Sequence, residues 1–242
     1  MPPLRIRVGT SGYNYPEWKG TFYPRDLPAS KMLAYYVERF ATVEINATFY
    51  RMPTAKTLAA WDAAAPAGFT FVLKAPQRIT HMARLRDIGD PLRYFCDTAR
   101  TLGGKLGPIL FQLPPNFKKA PGRLGDLLAQ LPPDLSAALE FRHASWFDEE
   151  IYGLLSARNA ALCIADTEEG TTPAVATADW GYLRLRAVEY PDADLARWIA
   201  TIRRLGAGWR EAFVFFKHEE AGTGPALARR LQALLERAPE AV

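Results

Sequence analysis

Cysteine is scarce in this chain. Cys96 and Cys163 are the two present, without CxxC or other metal-ligand spacing, which excludes a disulfide framework and a cysteine-based zinc site. Both fall within segments of helical or strand pattern and read as buried free thiols of a reducing compartment. Histidine is almost as sparse: His81, His143 and His218 show no HxH or HExxH spacing. Imidazole metal sites therefore lose their usual signature, and only oxygen ligands, Glu44, Glu140 and Asp166, remain for a divalent cation such as Mg²⁺. Long apolar runs are missing too, since none approaches the roughly 18 residues that cross a bilayer. The opening stretch, "MPPLRIRVGT", lacks the charged, apolar and small-residue blocks of a signal peptide. The expectation is a cytoplasmic protein with no membrane partner. A large excess of one charge is also lacking: 30 Lys and Arg stand against 26 Asp and Glu, a net charge of +4. That balance favours anionic partners and is mild for a dedicated nucleic-acid binder. The glycines of "GTSG" match no dinucleotide or phosphate-loop fingerprint. No linker, low-complexity stretch or internal repeat divides the 242 residues, so one domain over residues 1–242 is the economical reading.

What is present is a regular alternation of short strand-like and longer helix-like runs. Strand patterns occur at "RIRVGT", "TVEINATFY", "FTFVLKAP", "GPILFQLPP", "AALEFRH", "AALCIADT", "WGYLRLRA" and "EAFVFFKHE". Nearly every one is followed by a helical pattern, such as "FDEEIYGLLSAR" or "DADLARWIATIRRLG". Eight such units in a chain close to the roughly 250 residues of a (β/α)₈ barrel make a single α/β TIM-type barrel the expected fold. One crossover is exceptional. Residues 167–179, "TEEGTTPAVATAD", carry no helical period, so the connection after strand six is expected to be short or irregular.

A barrel strand turns alternate residues to the helices and to the interior. In "ALEFRHASWF" the apolar Leu139 and Phe141 share one face, leaving Glu140 and Arg142 on the other. Applied to the other strands, the same parity assigns Glu44, Asn46 and Thr48, then Lys74, Gln112, Asp166, Tyr182, Arg184 and Arg186 to the interior. On the last strand aromatic residues occupy both faces, and either Lys217 or His218 continues inward. The polar residues cluster toward the C-terminal strand ends, where a (β/α)₈ enzyme builds its site. Isolated ionised groups cost several kcal/mol each in a low-dielectric interior, so such a ring is either densely paired or kept wet for a ligand.

Three carboxylates, Glu44, Glu140 and Asp166, face Lys74, Arg142, Arg184 and Arg186, and the loop after strand three adds Arg78, His81, Arg84 and Arg86. The mouth is therefore expected to be electropositive and to take a small anionic ligand, because arginine forks match carboxylate and phosphate. Lys74 among arginines is expected to lose its proton readily and serve as base or nucleophile, with Glu140 or Asp166 as acid or base. Arg142 and Arg184 would clamp the anion, Asn46 and Gln112 would orient it, and Glu44 and Arg186 would complete the binding set. The aromatic loop "GYNYPEWKGTFY" offers a stacking platform or a small core of its own.

These residues also carry a resemblance. "GTSGYNYPEW" with "FYP", "EINATFY" with "MP", "FVLKAP" with "TH", "LGPILFQLPPNF" and "LEFRHASW", in this order, resemble the YecE-like proteins, domain of unknown function 72. The resemblance implies a TIM-type barrel and leaves activity open. It marks Gly9, Ser11, Gly12, Tyr23, Glu44, Asn46, Thr48, Phe49, Tyr50, Lys74, His81, Gln112, Glu140, Arg142 and Trp146 as family positions, adding Tyr23, His81 and Trp146 to the candidate binding residues. The chain departs where relatives carry His-Gly after the seventh strand and Phe-Asn-Asn near the eighth, replaced here by "LRA" and "FFKHEE". Arg186, Lys217 and His218 stand as substitutes.

Three functions fit. The first is an enzyme, a hydrolase, lyase or isomerase, acting by acid/base chemistry on a small phosphorylated, carboxylated or sugar-like anion at the mouth. The second is a nucleic-acid-binding or repair-associated protein using the loops at 78–86 and 13–23. The third is a structural ion-pair network without catalysis.

Overall fold

The computed structural model describes residues 3–237. Eight parallel strands follow one another around the barrel: β1 (Arg5–Thr10), β2 (Thr42–Ile45), β3 (Thr70–Lys74), β4 (Leu106–Gln112), β5 (Ala137–Glu140), β6 (Ala161–Thr167), β8 (Trp180–Leu185) and β9 (Glu211–Phe216). A ninth, β7 (Gly170–Thr171), pairs antiparallel with β6. It fills the connection in which the sequence shows no helical period: the chain after β6 folds back as a hairpin and then runs as coil to β8. The helices are α1 (Met32–Val37), α2 (Ala47–Tyr50), α3 (Ala55–Ala64), α4 (Gly89–Ala99), α5 (Pro121–Gln130), α6 (Glu149–Ala157), α7 (Asp192–Leu205) and α8 (Thr223–Arg237). Side-chain N-caps are seen at Thr54 on α3 and Asp148 on α6. Asp148 accepts a hydrogen bond from the Ile151 amide at the start of α6. In α7, Leu195, Ile199 and Ile202 are buried at helical spacing, with Asp192 and Asp194 in the first turn and Arg203 and Arg204 in the last.

Two apolar regions result. The larger lies between strands and helices and includes Val43, Ile45, Phe71, Leu73, Phe111, Leu139 and Leu183. The smaller fills the barrel with Val72, Leu110, Ala138, Ala161, Cys163, Trp180, Tyr182, Phe213 and Phe215. The split corrects one parity. Leu162 and Ile164 belong to the outer region, and Ala161 and Cys163 face inward. Asp166 therefore lies on the outer face of β6. The reason is size: small side chains on β6 leave room for Tyr182, Phe213 and Phe215 in a narrow interior.

The strand ends also differ from the pattern. β2 stops at Ile45, and the segment from Ala47 turns into α2 instead of continuing extended. The Thr48 hydroxyl, within hydrogen-bond reach of the carbonyls of Ile45 (3.1 Å) and Lys74 (2.7 Å), anchors this turn across the ends of β2 and β3.

Closure between β1 and β2 is incomplete. A single bridge joins Ser11 and Glu44, and the buried Tyr36 hydroxyl spans the gap beneath it. It accepts from the Thr10 amide at 2.9 Å and donates to the Thr42 carbonyl at 3.1 Å. Gly9 permits the close approach, since a Cβ there would stand 2.3 Å from the Thr42 carbonyl oxygen. Among the described residues no helix is long and apolar enough to cross a membrane.

Candidate active site

Moving two residues along each strand from the apolar interior reaches the site. Val72 leads to Lys74, Leu110 to Gln112, Ala138 to Glu140, Tyr182 to Arg184 and Phe215 to Lys217. Two residues further stand Asn46, Arg142 and Arg186. The same step resolves the last strand: Lys217 continues the inward face, and the His218 ring lies within 2.6 Å of the Ala187 carbonyl.

The deeper ring is nearly dry. Arg184 is 1% exposed and lies between two buried carboxylates. It donates to Glu140 Oε2 at 2.5 Å and to Glu44 Oε1 at 2.9 Å. Glu44 also accepts from the Ser11 hydroxyl (2.5 Å) and the Tyr182 hydroxyl (2.5 Å). Glu140 Oε1 accepts from Gln112 Nε2 at 2.8 Å and Arg142 Nε at 3.1 Å, with Arg186 at 3.8 Å. Burial by itself would raise the Glu140 carboxyl, but Arg184, Arg142, the Gln112 bond and Arg186 prevail and hold it well below the usual carboxylate range. The same pairing offsets the desolvation of Arg184 and keeps its guanidinium firmly charged.

Lys74 is the exception in this ring. Its Nζ donates to Gln112 Oε1 at 2.9 Å and sits 3.9 Å from the centre of the Phe49 ring. Gln112 cannot turn round, because its Nε2 is committed to Glu140. Burial, then the Arg184 guanidinium, pull Lys74 down to about 7 against the upward pull of Glu44 and Glu140. Beside it, His81 packs edge-on against Phe49 at 4.8 Å and is held down at about 4 by burial and by Lys74 and Arg142.

Above this ring the mouth opens in two hollows. One of about 320 Å³ is lined by Tyr15, Asn46, Tyr50, Lys74, Lys217 and Glu219. The other, of about 620 Å³, is walled by Glu140, Arg142, Arg186 and the β6–β7 hairpin. The upper cations retain solvent contact: the side chains of Arg142, Arg186 and Lys217 are 32%, 23% and 32% exposed. Burial and Arg186 lower Lys217, and burial and Arg184 lower Arg186. Lys217 and Arg186 are thus both perturbed by neighbouring positive charge, and an anion placed beside them would relieve that repulsion.

The structure does not gather every predicted residue here. Asp166 is held at the rim, accepting from Thr171 Oγ1 at 2.6 Å and the Tyr190 hydroxyl at 2.7 Å. Glu44, Glu140 and Asp166 do not converge. Arg184 stands between the first two, and among the described residues no group of three acidic, histidine or cysteine side chains is placed to hold a metal ion. Trp146 is fully buried, stacked on Phe141 at 4.7 Å, and donates to the Phe117 carbonyl at 2.7 Å. Tyr23 is 2% exposed within a cluster of Trp18, Phe22 and Tyr35, its hydroxyl donating to the Tyr13 carbonyl. Of the aromatic loop, Trp18, Phe22 and Tyr23 are buried as part of the larger apolar region, with Phe22 against Tyr36 and Phe40. Ser11, Tyr15 and Phe49 contribute contacts to the site that strand parity did not assign to it.

Comparison with known proteins agrees with this architecture. The family described as "Protein of unknown function DUF72" matches residues 7–242. The chain is 24% identical to UPF0759 protein YunF of Bacillus subtilis, covering 96% of this chain and 95% of that protein. It is similar in structure to a DUF72 family protein from Thermotoga maritima, with a TM-score of 0.87 and 27% identity over 96% of this chain and 99% of the other. A DUF72 family protein from Enterococcus faecalis shares the fold, with a TM-score of 0.79 at 19% identity over 98% and 99% of the two chains. The chain belongs to the DUF72 family.

Proposed function

We propose that the barrel mouth is the active site of an enzyme that acts on a small phosphorylated or carboxylated substrate. Arg142, Arg186 and Lys217 bind the anion, and Lys74 supplies the reactive amine, as base or nucleophile. The observation that carries this reading is the uneven distribution of partners. Glu44 and Glu140 have their oxygens filled by Arg184, Ser11, Tyr182, Gln112 and Arg142, whereas Lys74 has no carboxylate partner among the described residues and opens onto a cavity. A saturated carboxylate held far below neutral pH is a poor proton acceptor. An amine near 7 is matched to the task. Glu140 therefore fixes Gln112 and Arg184 rather than transferring protons.

Thermal unfolding against inorganic phosphate, phosphorylated sugars, small carboxylates and short single-stranded DNA tests the reading. A ligand at about 100 times its Kd adds roughly 2.7 kcal/mol, a rise of about 5 to 11 °C for a chain of this size. A small anion should raise the midpoint in the wild type and not in Arg142→Ala/Arg186→Ala. Stabilisation by DNA alone, equal in both proteins and steeply salt-dependent, would replace the enzyme with a nucleic-acid binder.

A further inference from the structure

We infer that Lys74 is a nucleophile that forms an imine with its substrate, so that the ligand class is an aldehyde or ketone bearing a carboxylate or phosphate. This rests on the anion-binding reading of the mouth and narrows it. Three observations converge. The Gln112 amide is locked by its donation to Glu140 and presents only its oxygen to Lys74. One N–H of a neutral amine is thereby fixed, and the lone pair is directed away from Gln112. Among the described residues the amine has no carboxylate partner in contact, and burial and the Arg184 guanidinium outweigh the more distant pull of Glu44 and Glu140 on its proton. The Phe49 ring face stands 3.9 Å from Nζ; it does little for a neutral amine and stabilises the cation that an iminium carries. The lowered affinity of Lys74 for protons agrees with this arrangement.

The chemistry balances within the cavity. The Lys74 lone pair attacks the carbonyl carbon and the C–O π pair moves to oxygen. Nitrogen then loses one proton and oxygen gains one, giving a carbinolamine. A second proton, from the Lys217 ammonium that lines the same hollow, lets the hydroxyl leave as water while the nitrogen lone pair forms the C=N bond. The product is a protonated imine over Phe49. The substrate's anionic group lies toward Arg142 and Arg186, and hydration reverses the sequence.

The test is reductive trapping. Wild-type protein is incubated with cyanoborohydride and pyruvate, glyoxylate or glyceraldehyde 3-phosphate, followed by intact mass measurement and peptide mapping. Acetone serves as the neutral carbonyl, and Lys19, Lys31 and Lys56 as internal controls. The expected result is a single adduct at Lys74, at least about tenfold faster than at the other lysines, absent with acetone and absent in Lys74→Arg. Its rate should rise with pH through about 7. Phosphate stabilisation is measured on the same samples, and the midpoint of Lys74→Arg shows whether it folds. Stabilisation by phosphate without selective trapping overturns the imine and leaves the anion site standing. Absence of both overturns the two together. Trapping spread evenly over the lysines also overturns the imine.

Discussion

Replacing Arg184 by methionine removes the one cation shared by two buried carboxylates, and the structure sets the size of the effect. Glu140 keeps Gln112 and Arg142, with Arg186 at 3.8 Å. Among the described residues Glu44 keeps the hydroxyls of Ser11 and Tyr182 and no cation within salt-bridge distance. Breaking a buried pair costs about 3 to 5 kcal/mol, because the surviving charge stays desolvated. Methionine fills much of the arginine stem's volume, so the loss is electrostatic rather than a cavity. For a chain of this length that corresponds to a fall in Tm of roughly 6 to 20 °C. The pH dependence gives a sharper signature. In the wild type the Glu140 carboxyl is held below its unfolded value, so its contribution is present above that value and lost as pH falls through the folded one. In Arg184→Met the Glu140 carboxyl loses the strongest of the charges that hold it down, so its folded value moves back up toward the unfolded one. The variant therefore has less carboxylate stabilisation to lose in acid. The gap between the two proteins should narrow as pH falls through the carboxylate range, and Glu44→Gln/Arg184→Met should recover much of the loss at neutral pH by removing the stranded charge. Thermal unfolding by circular dichroism across this range is the assay. A midpoint within about 2 °C of wild type at neutral pH, less than about 1 kcal/mol, refutes the reasoning, as does a gap that does not close in acid.

The remaining predictions concern single groups. Lys74→Met should raise the neutral-pH midpoint, because a folded value near 7 against 10.5 unfolded makes wild-type stability rise between those limits; the gain should vanish near the upper one, as a melting series would show. Tyr36→Phe strands the Thr10 amide and the Thr42 carbonyl where β1 meets β2 and should cost about 1 to 3 kcal/mol in urea unfolding. Gly9→Ala forces backbone apart at the same seam and should destabilise by about 1 to 3 kcal/mol. If either change proves neutral, the seam is looser than described.

The eightfold alternation is legible because strand and helix periods differ and turn residues separate them. The exceptional crossover is legible for the same reason, since a hairpin leaves no helical period. The charged ring stands out because glutamate, lysine and arginine on inward strand positions cannot be explained by ordinary core packing. Asp166 misleads because both faces of β6 are apolar up to that point, so one carboxylate decides the parity. The informative contrast there is volume, Ala161 and Cys163 against Leu162 and Ile164. Lys217 is ambiguous while Phe213, Phe215 and Phe216 cover both faces, and becomes definite once two of them are known to fill the barrel. Tyr23 and Trp146 were added by family resemblance, and their burial explains them as packing residues. The locked Gln112 amide, which defines the environment of Lys74, depends on side-chain geometry that no spacing encodes.

The central claim, as proposed above, is that an amine hydrogen-bonded only to an amide oxygen among the described residues faces a cationic mouth that takes an anion. The most direct measurement is an NMR titration of Lys74 in lysine-labelled protein, assigned by Lys74→Arg, with and without inorganic phosphate. The account predicts a midpoint at about 7 without phosphate, moved upward when the bound anion offsets the surrounding guanidinium charges. A midpoint near the ordinary 10.5, unmoved by phosphate, contradicts it.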